Sequence, residues 1–107
     1  MSIQRSFVQS YMEMNKHYFY VVECSDRSYY AGYTNNLEKR IQTHNSGKGA
    51  RYTRARLPVV LKYVEIHGDK TTAMQAEYHF KQLKRKEKEE YMQKGERYVA
   101  AKKFSSK

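Results

Sequence analysis

The chain has 107 residues, and Lys plus Arg outnumber Asp plus Glu by 21 to 11, for a formal net charge of +10. One domain with an adequate but modest core is expected at this length, and the basic excess calls for a polyanionic partner. Nucleic acid is the simplest such partner and an anionic membrane surface the other, but no apolar run approaches the ~20 residues that a membrane span requires.

Residues 1–15 carry little pattern. They have no apolar h-region and do not read as a signal peptide. A short helix and a disordered arm are equal readings there. His17-Tyr18-Phe19-Tyr20-Val21-Val22-Glu23-Cys24 is rich in aromatic and β-branched residues and predicts a buried strand. Cys24 is the single cysteine, which excludes an internal disulfide and fits a cytoplasmic protein. With four scattered histidines it makes no zinc spacing. Ser25-Asp26-Arg27-Ser28 supplies turn chemistry, and Tyr29-Tyr30-Ala31-Gly32-Tyr33 reads as the returning strand of a hairpin.

Asn35 or Asn36 can cap the next helix, with Leu37 and Ile41 as its inward face and Gly47 as its stop signal. Ser46 to Gly49 is a loop. Pro58 stands at the head of a third strand, Val59 to Ile66. Gly68-Asp69 turns the chain. Thr72 with Gln75 resembles a capping box for a long helix, whose apolar stripe is Ala73, Ala76, Phe80 and Leu83. From Lys84 the mixed-sign run reads as a solvated helix face that Tyr91 and Met92 tuck back on the core. The chain thus divides into an N-terminal extension at 1–15, a domain at 16–92 and a basic tail at 93–107. The expected fold is α+β, with a small, largely antiparallel sheet.

Several polar residues stand where a plain fold would not need them. Glu77 lies beside the apolar stripe of the long helix, where an unpaired charge is costly and calls for a partner. That partner is either a divalent cation or a basic side chain, with Lys81 one turn on as the simple choice. Arg40 and His44 share one helix face. From Lys39 to Lys62 there are seven basic residues and no acid, with Tyr52 interleaved. Lys48, Arg51, Tyr52, Arg54 and Arg56 therefore make a candidate nucleic-acid surface of phosphate contacts and stacking. Phenol, guanidinium, imidazole and carboxylate are the groups that metal-assisted phosphodiester hydrolysis uses.

The stretch Tyr18-Phe19-Tyr20, then Tyr30-Ala31-Gly32, then Leu37-Glu38-Lys39-Arg40 with His44-Asn45, resembles the GIY-YIG nuclease superfamily. His44-Asn45-Ser46-Gly47-Lys48-Gly49-Ala50-Arg51-Tyr52-Thr53-Arg54 is similar to its small, stand-alone bacterial members. The first motif lacks its glycine and isoleucine, and Ala31 replaces the isoleucine of the second. The resemblance implies a three-stranded antiparallel sheet flanked by helices. It implies Tyr20, Tyr30, Arg40, His44 and Glu77 as catalytic residues, with Glu77 as the ligand of one Mg2+ or Mn2+. Tyr20 would be the general base or position water; action as a base requires the metal, Arg40 or a neighbouring Lys to lower its pKa from ~10. Tyr30 and His44 would orient phosphate or water. The implied activity is a DNA endonuclease, of the kind found in DNA repair, directed by DNA structure or by a protein partner and weak alone. A non-catalytic DNA- or RNA-binding module is the competing expectation.

The hairpin makes a geometric demand. A two-residue loop would put Tyr20 and Tyr30 on opposite faces, because strand side chains alternate with period two. A composite site therefore requires an odd-numbered loop or a bulge.

Overall fold

The computed structural model describes residues 16–105, with side chains through Gly95. The expectation for 1–15 lies outside the described residues. Strands β1 (His17–Glu23), β2 (Tyr29–Thr34) and β3 (Val60–His67) form one antiparallel sheet in the order β2-β1-β3. Helix α1 (Leu37–Asn45) and the single turn α2 (Arg51–Arg54) follow the hairpin, and α3 (Lys70–Lys81) and α4 (Arg85–Ser105) follow β3. This is the expected α+β arrangement.

β1 is the central strand and is buried on both faces. Phe19 and Val21 point into one core with Ala31, Tyr63, Phe80 and Met92. Tyr20, Val22 and Cys24 point into the other with Val59, flanked by Tyr30, Leu37, Ile41, Leu57 and Val64. An aromatic and β-branched run without polar interruption suits a strand covered on both sides. A bulge in the pairing of β1 with β3 falls between Val21 and Val22.

The hairpin meets the geometric demand. Glu23 pairs with Tyr29, so Cys24 to Ser28 form a five-residue connection, longer than the two or three residues considered and odd in number. Arg27 takes a positive φ of 72° at its tip. Val22 pairs with Tyr30 and Tyr20 with Gly32, which puts both phenols on one face.

Asn36 caps α1, accepting from the Lys39 amide, and Gly47 ends it with φ of 82°. The cap of α3 differs from the capping-box expectation. Asp69 is the N-cap and its carboxylate accepts from the Thr72 amide at 2.8 Å, so Thr72 lies inside the first turn. A carboxylate one turn upstream is a stronger acceptor for the exposed amides than a hydroxyl. Ala73 and Phe80 point inward as expected, and Leu83 packs on the same core just beyond the helix. Met92 is buried, and Tyr91 donates to Glu65 at 2.6 Å, so α4 is docked by these two residues. Its backbone continues through position 93 to Ser105.

The turn α2 had no sequence signal, since four residues give no periodicity. Asn45 at the end of α1 holds the chain beyond it. Its side chain donates to the Val59 carbonyl at 3.0 Å and accepts from the Val59 amide at 2.8 Å. This pair of bonds ties α1 to the entry of β3 and pins both ends of the loop that carries α2.

Candidate active site

Tyr20 is fully buried, and its ring leans over Gly32 on the neighbouring strand. A Cβ at Gly32 would come within 2.6 Å of the ring carbon Cζ. Glycine is required here by the close approach of a ring to backbone. Gly32→Ala must displace a buried ring. We expect a loss of about 1–3 kcal/mol in urea unfolding. An unchanged midpoint would show that the ring does not rest on this strand.

The Tyr20 hydroxyl is the centre of a chain of hydrogen bonds. It lies 2.8 Å from His44 Nε2, and Arg40 Nε donates to it at 3.2 Å. His44 Nδ1 lies 2.9 Å from Thr53 Oγ1, which lies 2.9 Å from the Ala50 carbonyl. His44 and Thr53 are completely buried. Thus β1 contributes Tyr20, α1 contributes Arg40 and His44, and α2 contributes Thr53.

Electrostatics follow from this burial. The Tyr20 phenol is held above its ordinary value of 10.0, because burial outweighs the opposing bond and charge of Arg40. The charge of Glu77 adds to the upward shift, as does the Tyr30 phenol. His44 is held below its ordinary 6.5, first by burial and then by the positive Arg40. Arg40 is held higher still by Tyr20 and Tyr30, so it stays cationic. At neutral pH the cluster contains a neutral phenol, a neutral imidazole and a guanidinium. Dehydration outweighs the lowering by Arg40, so that neighbour alone does not bring the Tyr20 phenol below its ordinary value. Both ring nitrogens of His44 are engaged inside the protein, by Tyr20 and Thr53.

Tyr30 completes this wall from β2. Its ring meets His44 edge-on at 5.5 Å and stacks on Tyr52 at 6.1 Å. Lys81 Nζ lies 5.6 Å from the Tyr30 ring and 2.9 Å from Glu77 Oε2. The simple Lys81 partner for Glu77 is therefore present. The carboxylate is nonetheless not turned to solvent: its side chain is 18% exposed and Lys81's is 46%. The five sequence-predicted residues thus converge on one face of the sheet and its β2 edge.

The basic surface divides into two parts. Lys48, Arg51 and Arg54 are exposed and make no ion pair among the described residues. Arg56 is clamped instead. It pairs with Asp26 at 3.0 Å, donates to the Tyr52 carbonyl at 2.8 Å and covers the Tyr52 ring at 3.9 Å.

Glu77 is the carboxylate of this wall, and no group of three or more His, Cys, Asp and Glu side chains gathers among the described residues. That excludes a zinc-type donor set there. A single hard oxygen ligand suits Mg2+ or Mn2+, which keep several waters and share substrate phosphate oxygens. The site residues fit such an ion.

The model of the GIY-YIG catalytic domain matches residues 16–91. The chain belongs to the GIY-YIG family. This is a nuclease family, so nucleic acid is the class of substrate that membership implies. The chain is 82% identical over 96 residues to a UPF0213 protein of Bacillus cereus strain ATCC 10987, covering 90% of this chain and all of that one. It is 60% identical to the UPF0213 protein YazA of Bacillus subtilis, over 77% of this chain and 83% of that one. Among solved structures it is similar to the UPF0213 protein BH0048 of Bacillus halodurans, with 45% identity and a TM-score of 0.51 over 78% of this chain and 89% of that one. The protein EF2693 of E. faecalis matches with 46% identity and a TM-score of 0.54, over 74% of this chain and 84% of that one. No helix among the described residues is long and apolar enough to cross a membrane.

The sequence reading missed Thr53. Its only signal was a small hydroxyl residue in a basic loop, nine positions after a histidine, and that spacing has no meaning until the loop closes on α1.

Proposed function

We propose that the protein is a divalent-metal-dependent endonuclease that hydrolyses phosphodiester bonds in DNA. The observation that carries this reading is the buried Tyr20–His44 bond with Arg40 on the same phenol oxygen, facing a part-buried Glu77. Glu77 would hold one Mg2+ or Mn2+, which supplies Lewis-acid stabilisation of the scissile phosphate and the leaving oxygen.

The rest falls to side chains. A water placed against the phosphate gives its proton to the Tyr20 oxygen as the Tyr20 proton passes to His44 Nε2. No free phenolate forms, which suits a phenol whose pKa is raised. Neutral His44 is the right acceptor at physiological pH. Arg40 tempers negative charge on the phenol oxygen and directs its remaining N–H groups at the phosphoryl oxygens. Lys48, Arg51 and Arg54 hold neighbouring phosphates. A binding module would need that surface but has no use for a buried proton chain.

The test is a cleavage screen over duplex, branched and single-stranded DNA, and RNA, with Mg2+ or Mn2+ and with chelator. Cleavage that requires the metal supports the reading; binding without cleavage under any condition favours the module. In the same binding assay, neutralising two of Lys48, Arg51 and Arg54 should flatten the slope of log K against log salt by ~0.7–0.9 per lost contact. Neutralising Arg56 should change that slope far less, because Asp26 already balances its charge. Equal effects from all four positions would contradict this division of the surface. Cytoplasmic residence, and a protein partner that directs the cut, belong to the same proposal.

A further inference from the structure

The buried hydrogen bonds around His44 can be written in two ways, and proton counting decides between them. Thr53 has a single hydroxyl proton and lies between two acceptors, the Ala50 carbonyl and His44 Nδ1. In one arrangement Thr53 donates to Ala50 and accepts from His44 Nδ1–H. His44 Nε2 then has a lone pair for the Tyr20 proton. In the other, Thr53 donates to Nδ1, and Nε2–H donates to the Tyr20 oxygen. That oxygen would then receive two donors, His44 and Arg40, and its own proton would have no acceptor among its recorded partners. Tyr20 is fully buried, and leaving a hydroxyl proton there without an acceptor is unfavourable. The first arrangement gives every proton an acceptor.

We propose that Thr53 is a positioning residue that holds His44 in the Nδ1–H tautomer and so reserves Nε2 for the proton of Tyr20. This deepens the nuclease reading and rests on it for its meaning in catalysis. Local structure supports the role. Ala50 is the N-cap of the α2 turn, and its carbonyl already accepts from the Thr53 and Arg54 amides at 3.1 Å each. The Thr53 hydroxyl is thereby placed by backbone and not by rotamer choice alone. Gly49 brings this turn against the imidazole: a Cβ there would stand 2.9 Å from the His44 Cα. Asn45 pins the far end of the loop to Val59. The partner that sets a histidine tautomer sets which nitrogen is available for chemistry.

The test uses Thr53→Val, which keeps shape and removes the hydroxyl, and Thr53→Ser, which keeps the hydroxyl. Long-range 1H–15N correlation spectra of the labelled, metal-free protein, taken above the His44 pKa and without nucleic acid, report the tautomer directly. Wild type and Thr53→Ser should show a protonated Nδ1 and a bare Nε2. Thr53→Val should show Nε2–H as the major form. In cleavage assays Thr53→Val should lower kcat by on the order of 10²-fold with little change in KM, while Thr53→Ser stays near wild type. A wild-type spectrum with Nε2–H overturns the proposal, and requires no variant to fold. So does a Thr53→Val protein that keeps Nδ1–H. A tautomer change in a protein that cleaves no nucleic acid leaves the positioning role standing and removes the nuclease reading instead.

Discussion

Tyr20→Phe is expected to lower kcat for DNA cleavage by about 10²–10⁴-fold while leaving DNA affinity within a few-fold. The substitution removes one oxygen atom, and that atom carries both the Arg40 bond and the His44 bond. His44 Nε2 then has no donor and no route to the reacting water. The same loss should cost about 1–3 kcal/mol of stability, because a buried acceptor is left unpaired. Urea unfolding separates that cost from the kinetic one, provided rates are taken where the variant is fully folded. A variant that cuts at the wild-type rate would remove Tyr20 from the reaction.

The pH dependence in the wild type follows from the same pair. His44 must be neutral to accept a proton, and burial and Arg40 keep its pKa below 6.5. The acid limb of kcat should therefore lie below pH 6.5, with full activity across neutral pH. For stability the sign is as follows: the unfolded chain takes up this proton first as pH falls. His44 therefore contributes stability that is present above 6.5 and is lost as pH falls through its lowered, folded-state pKa. An acid limb above 6.5 would contradict a buried, neutral imidazole.

Glu77→Gln should reduce metal-dependent cleavage by orders of magnitude and leave metal-free DNA binding within a few-fold. Glutamine keeps the size and helix propensity of the side chain and removes the charge that would hold a dication. Calorimetric titration with Mg2+ or Mn2+ should show weakened binding. The Lys81 pair sets the alternative. If that ion pair is the whole purpose of Glu77, the substitution should cost only ~0.5 kcal/mol or less, since Lys81 is well exposed, and cleavage should be intact. Full activity in the variant would move the search for a ligand to Glu23 or Glu65. Glu65 is already engaged by the phenols of Tyr63 and Tyr91 and by His67, which makes it the weaker candidate.

The order of elements was readable because each rests on local physics. A run such as Phe19-Tyr20-Val21-Val22 has one low-energy use, a strand covered on both faces. Leu37 and Ile41, and Ala73, Ala76 and Phe80, repeat at helical spacing. Tyr20, Tyr30, Arg40, His44 and Glu77 were legible as a set, through the order of their motifs and the oddity of polar groups on apolar faces. The shared face of Tyr20 and Tyr30 was legible only as a condition, since a turn of Ser25 to Ser28 does not reveal its own length. The cap at Asp69 was misread because Thr72 and Gln75 match a common pattern one turn too late.

What the sequence determined alone was thus the identity of the chemistry: which groups, on which elements, in a chain positive enough to meet phosphate. The tertiary structure decided their protonation and their division of labour. Burial raised the Tyr20 pKa and lowered that of His44. Closure of the 46–59 loop by Asn45 brought Thr53 to His44, so that both ring nitrogens of the imidazole have partners inside the protein. Asp26 took Arg56 out of the open basic surface. Each of these depends on contacts between residues far apart in the chain. Desolvation and hydrogen-bond direction are properties of a packed environment, and no spacing within a linear sequence encodes them.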